Sequence, residues 1–133
     1  SSGEEYDPNT GVWSSIPPMH HKRDGCAAAV LDGQLYVVGG YDGKERLSSA
    51  EVYNPNTKCW SLIPNMSLKR SLCAAVSFCG RLIVVGGFDG KQSFASCEAY
   101  DPSTCLWSSI SAMQTRRHAC AAVEVDGTLY VMG

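Results

Sequence analysis

Shifted by 47 places, this sequence falls onto itself without a gap. Trp13, Trp60 and Trp107 coincide, as do Met19, Met66 and Met113, and Cys26, Cys73 and Cys120. Arg23, Arg70 and Arg117 share a register, as do Gly39, Gly86 and Gly133, Glu4, Glu51 and Glu98, and Tyr6, Tyr53 and Tyr100. A fixed period of this length marks a chain built from copies of one supersecondary unit, each stacked on the next. Every residue is therefore first a position in a repeating unit. Only after that is it a candidate for chemistry.

Each period holds four runs with strand character. They are Cys26–Asp32 (a), Gln34–Gly40 (b), Ser48–Asn54 (c) and Lys58–Ile63 (d). Asp32-Gly33 separates a from b, and Asp-Gly is a strong hairpin signal. The Asn-Pro-Asn-Thr at 54–57 separates c from d, with the Pro and Asx residues that such turns favour. No window has helical periodicity. Four short antiparallel strands recurring at this interval predict an all-β chain of β-propeller blades. The units run 19–65 and 66–112, with strands c and d of a partial blade at 1–18 and strands a and b of another at 113–133.

The remaining bounds are mild. The net charge of −2 gives the molecule as a whole no electrostatic pull on nucleic acid. No stretch reaches the ~18 apolar residues of a membrane-spanning helix. The seven cysteines are odd in number and include no C-x-x-C pair, so neither a disulfide framework nor a zinc site is expected. Cysteines among alanines read as small apolar core residues in a reducing, cytoplasmic compartment.

The sequence Leu35–Lys44, LYVVGGYDGK, is repeated at Leu82–Lys91 as LIVVGGFDGK. Its glycines and terminal Gly-Lys invite a phosphate-loop reading, which fails on spacing. A P-loop needs G-x-x-x-x-G-K-[ST] leading into a helix. Here Glu45 and Gln92 follow the lysines and no helix follows them. Glycine beside a strand instead permits close backbone approach or an unusual turn. Tyr53, Tyr100, Trp60 and Trp107 are expected to pack between blades. The repeated arginines read two ways: as ion pairs with Glu51 and Glu98 that lock blades together, or as contacts to a ligand.

Because antiparallel strands alternate in direction, the b–c and d–a loops share one face of the array. These loops hold nine of the eleven basic residues and only four acids, a balance of +5 against −7 for the rest of the chain. Varied loops on a rigid scaffold are where recognition is expected. The sorting predicts a protein partner, in particular an acidic peptide, and neither nucleic acid nor membrane.

Gly-Gly after an apolar strand, then Tyr, Trp, a Met and an Arg resembles the Kelch repeat. The run GGYDG…LSSAEVYNPNTKCW…M…R is most similar to Kelch-like proteins, which join a BTB domain to a six-bladed propeller. That resemblance implies a Kelch-type propeller of which this chain is half. It also implies that the b–c/d–a face docks partner peptides. Tyr41 and Phe88 match the family's aromatic after Gly-Gly, and Arg46 matches a loop arginine that binds acidic side chains in some members. Ser93 holds the equivalent place one blade on. Ser71 and His118 occupy the position after the d–a arginine where serines contact ligand; Asp24 departs from that pattern. Arg23, Arg70 and Arg117 complete the candidate partner-binding set.

Three functions follow from the resemblance. The first is the substrate-recruiting propeller of a cullin-type ubiquitin-ligase adaptor, and the second is an actin-binding module. The third and most remote is a copper radical oxidase, which needs spaced histidines, whereas His20 and His21 are adjacent. No enzyme activity and no cofactor are expected. Twelve strands do not close a ring, so a homodimer completing six blades is expected, or else a longer propeller of which these residues are a piece.

Overall fold

A computed structural model describes residues 2–133. Twelve strands of five residues appear in four groups, and every pairing is antiparallel. β1 (Gly3–Asp7) and β2 (Val12–Ile16) form a two-stranded sheet. β3 (Ala27–Leu31), β4 (Gln34–Val38), β5 (Ala50–Asn54) and β6 (Cys59–Ile63) form a complete four-stranded blade in chain order. β7 (Ala74–Phe78), β8 (Arg81–Val85), β9 (Cys97–Asp101) and β10 (Leu106–Ile110) form a second. β11 (Ala121–Val125) and β12 (Thr128–Met132) close the chain as another two-stranded sheet. The all-β array of four-stranded antiparallel blades expected from the period is the observed architecture.

The a–b hairpins turn through positive φ at both central residues, 51° and 72° at Asp32-Gly33 and 49° and 71° at Cys79-Gly80. That handedness matches the twist of the flanking strands. Strands β3, β7 and β11 lie next to one another, placing the first strand of each blade on the inside. The core sits on the second and third strands. Val38, Ala50, Leu82, Val84 and Val85 are all fully buried there.

The expected strands overrun the observed ones at the b–c end. Strand b stops at Val38 because Gly39 and Gly40 take φ of 63° and 101°. Strand c begins at Ala50 because the preceding serine serves the loop, the Ser49 carbonyl accepting from the Gly39 amide at 3.0 Å.

The aromatic expectation is refined. Tyr53 and Trp60 are direct cross-strand partners within one blade, with ring centroids 5.1 Å apart, and Tyr100 and Trp107 repeat the pair at 5.2 Å. The link between blades comes from the indole N–H. Trp60 donates to the Pro17 carbonyl at 2.8 Å and Trp107 to that of Pro64 at 2.7 Å, each on the segment leaving the preceding sheet. The cysteines divide. Cys73 and Cys97 are buried, and burial pushes the Cys73 thiol up to about 12. Cys59, Cys79 and Cys105 lie exposed at or beside hairpin turns; of the cysteines beside alanines, expected in the core, Cys73 is buried and Cys26 and Cys120 are half-buried.

Candidate functional site

The loops of the b–c/d–a face are built by short-range devices. Asp42 accepts the amides of Lys44 and Glu45 at 2.7 and 2.8 Å, and Asp89 repeats this with Lys91 and Gln92. Those amides hold both carboxyls below the usual carboxylate range. Each loop is then stitched to the next blade. Lys69 pairs with Glu45, and Arg116 donates to Gln92 at 2.7 Å. Sequence reasoning missed this 24-residue offset between a b–c tip and the following d–a loop. Its signal was present as Glu/Gln in one loop facing Lys/Arg in the next.

The backbone orders the candidate residues into small bridges. Asp24 exchanges both hydrogen bonds with Tyr41, and Ser71 does so with Phe88. Tyr41 also bridges Arg46, and Phe88 bridges Ser93. One continuous strip results. The Arg46 guanidinium carbon lies 4.7 Å from the Tyr41 ring centroid and 5.4 Å from that of Phe88 on the next blade. Phe88 also meets the His118 ring, with centroids 5.7 Å apart, and His118 Nδ1 lies 2.8 Å from the Ser93 hydroxyl. Tyr41, Arg46, Phe88, Ser93 and His118 are thus brought together across three successive units, with the Ser71 hydroxyl hydrogen-bonded to the Phe88 carbonyl at 3.1 Å.

Arg46 carries the chemistry of this strip. Among the described residues its guanidinium has no carboxylate and no hydrogen-bond acceptor, and its Nε is buried and unsatisfied. Gly90, expected from the sequence only to shape the turn leaving strand b, makes room for it. A Cβ there would stand 3.3 Å from Arg46 Nη1.

Arg23 and Arg70 are placed otherwise, and their candidacy as partner contacts is corrected. Both side chains are wholly buried. Arg23 reaches Glu51 at 3.0 Å, and also the Gly39 carbonyl and the carbonyl and hydroxyl of Ser49. Arg70 repeats this with Glu98 at 3.0 Å, Gly86 and Ser96. Every donor direction of these forks is filled from inside, leaving none for a partner. Each pair also lies within one blade rather than between two. The joint between blades is the arginine's backbone: the Gly40 amide donates to the Arg70 carbonyl, and the Gly87 amide to that of Arg117, both at 2.8 Å. With Arg23 and Arg70 sequestered, the loop face keeps three net positive charges of its five. Arg117 is partly buried and donates to the Gly133 carbonyl at 2.6 Å.

His20 and His21 both turn onto the same carboxylate. Glu51 accepts the His20 amide and ring nitrogen, each at 2.8 Å, and the His21 amide at 3.2 Å. Burial raises the Glu51 pKa, but the bonds from His20, Arg23 and His21 outweigh it and hold the carboxyl below its ordinary 4.5. A carboxyl depressed in the folded state contributes stability that is complete above its unfolded value and is lost as pH falls through the folded one. The urea midpoint is therefore expected to fall as pH drops below about 4.5, and Glu51→Gln to flatten that segment of the curve. Identical slopes for the two proteins would show that Glu51 does not titrate with unfolding.

The profile of the Kelch motif family matches residues 22–67 and 69–114. Among curated proteins, mouse Kelch-like protein 1 is 41% identical over 46 residues, 35% of this chain and 6% of its own length. Human Kelch-like protein 4 is 46% identical over 46 residues, again 35% of this chain and 6% of its own length. An F-box/kelch-repeat protein of Arabidopsis thaliana is 48% identical over 40 residues, 30% of this chain and 11% of its length. The matched segments span only a small share of these relatives. The two matched periods coincide with the two complete blades and their paired Arg–Glu cores, and the chain belongs to the Kelch-repeat family.

Proposed function

We propose that the chain is a protein-interaction module whose b–c/d–a face binds an acidic segment of a partner protein. The observation that carries this reading is Arg46: a guanidinium flanked by Tyr41 and Phe88, with no acceptor of its own, on a face with surplus positive charge. A carboxylate there takes charge-assisted hydrogen bonds from a fork already oriented by its neighbours. His118, Ser93 and Ser71 extend the strip and give room for neutral contacts beside the charge. The role that fits such a face within the Kelch-like relatives is recruitment of a substrate to a cullin-type ubiquitin ligase in the cytoplasm. Actin binding is the competing role, and co-purification of cullin against co-sedimentation with actin separates them.

The direct test uses a fluorescent Glu-rich decapeptide and its Gln counterpart. Only the former is expected to bind. Arg46→Ala is expected to weaken it by about 1–3 kcal/mol, roughly fivefold to 150-fold. Lys58→Ala, on the opposite face, leaves affinity unchanged. Equal binding of the Glu and Gln peptides, or an unaffected Arg46→Ala, defeats the proposal.

A further inference from the structure

The loop between β6 and β7 departs from its counterparts in what it shows to solvent. It exposes Leu68 and Leu72, where the register of the neighbouring units has His21 and Thr115, and Gly25 and Ala119. Among the described residues these are the only large apolar side chains that the b–c and d–a loops expose. Leu72 is the more unusual. Its φ is 53°, in the left-handed region that favours glycine. Gly25 and Ala119 take the same backbone at 60° and 50°, so the unit closes there with a hydrogen or a methyl group. A leucine left 41% exposed gains little burial in return for that conformation.

Strained backbone persists where its surroundings fix it, and it gathers at ligand contacts. The surroundings of Leu72 do fix it. Its amide donates to the Gly25 carbonyl and the Ala119 amide donates to its own carbonyl, both at 2.7 Å. Leu72 is thus held from both sides by the equivalent residues of the two adjoining units. Gly25 also clears space for the side chain, since a Cβ there would stand 2.9 Å from Leu72 Cδ2. Gly90 clears space for Arg46 in the same way. Leu72 directly follows Ser71, whose amide and carbonyl are both paired with Phe88. The leucine therefore continues the strip that contains Tyr41, Arg46 and Phe88, at the end leading into the inner strand β7.

We infer that Leu72 is an apolar subsite of this face, and that the acidic segment bound there carries a large aliphatic side chain close to its acid. The inference rests on the reading of Arg46 given above and adds a second determinant to it. Surplus positive charge on the same loops fixes the acidic character of the occupant. Leu72 then separates acidic segments that a guanidinium alone would treat alike, because only those with an aliphatic neighbour cover it. An apolar contact ringed by polar ones is the ordinary anatomy of a protein interface. Leu68, on the same loop, has no such strained backbone and no part in the argument.

Fluorescent Glu-rich decapeptides test this, with Leu or Ser placed at each position in turn. The best-placed Leu peptide is expected to bind about fivefold to tenfold tighter than its Ser counterpart. Leu72→Ala is expected to abolish that preference and to leave the affinity of the Ser peptide unchanged. Alanine already takes this backbone at Ala119, so the variant keeps the loop. Leu72→Met is expected to retain the preference. Gly25→Ala, whose methyl group displaces the leucine without altering charge, is expected to reduce it. Equal binding of Leu and Ser peptides, or a preference that survives Leu72→Ala, overturns the inference and leaves the reading of Arg46 standing. Failure of every acidic peptide to bind overturns both. Self-association of the protein that Leu72→Ala abolishes also overturns the inference, because it assigns the leucine to a contact between copies.

Discussion

Glu98→Ala is expected to cost the fold about 3–5 kcal/mol, because it leaves the Arg70 guanidinium charged and unpaired in a fully buried site. Arg70 cannot escape. Its side chain is anchored to the Gly86 and Ser96 carbonyls, and its guanidinium carbon lies 5.1 Å from the Phe94 ring centroid. Removing both partners is a gentler change. Arg70→Met with Glu98→Leu is expected to lose less than Glu98→Ala alone, since no bare charge remains. It does not return to wild type, because the Gly86 and Ser96 carbonyls then lose their donor. Urea unfolding at one protein concentration measures all three. A loss under about 1 kcal/mol for Glu98→Ala would mean that the lock is dispensable.

The periodicity made the fold legible and left the arginines ambiguous, and both outcomes have one physical cause. Recurrence in every unit reports what a blade needs. The Asp-Gly hairpins, the Tyr–Trp pairs and the Gly-Gly exit recur because each sheet must turn, pack and join the next. Arg23 and Arg70 recur for the same reason, as buried partners of Glu51 and Glu98. Their place in a loop of the basic face suggested recognition, but period alone does not say whether a side chain points outward or folds back beneath its own strand. Arg46 is the converse. Its register position in the next unit is Ser93, so no scaffold role required it, and it is the arginine left with an empty fork. In a repeat chain the break in the pattern is the better guide to a site. The contribution of Gly90 stayed hidden, because it depends on contact between two loops 44 residues apart in register.

Gly39→Ala is expected to be as damaging as loss of the lock, and a second glycine isolates the reason. Gly39 and Gly33 both have positive φ, 63° and 72°. A Cβ on Gly33 would meet nothing within 4 Å, so Gly33→Ala carries only the left-handed backbone cost of about 1–2 kcal/mol. A Cβ on Gly39 would stand 2.2 Å from the Arg70 carbonyl oxygen, a backbone atom of the next blade. That oxygen cannot move away without breaking its bond from the Gly40 amide. Overpacking of this sort adds about 1–3 kcal/mol, which brings the expected loss for Gly39→Ala to about 2–5 kcal/mol. The damage should also be local to the joint. Exchange of the Gly40 amide should accelerate more than that of Val38, which lies inside the sheet. The same geometry recurs at Gly86, where a Cβ would stand 2.5 Å from the Arg117 carbonyl oxygen, so Gly86→Ala should behave alike. Equal losses for Gly39→Ala and Gly33→Ala would show that the glycine serves its own φ and not the approach of the neighbouring blade.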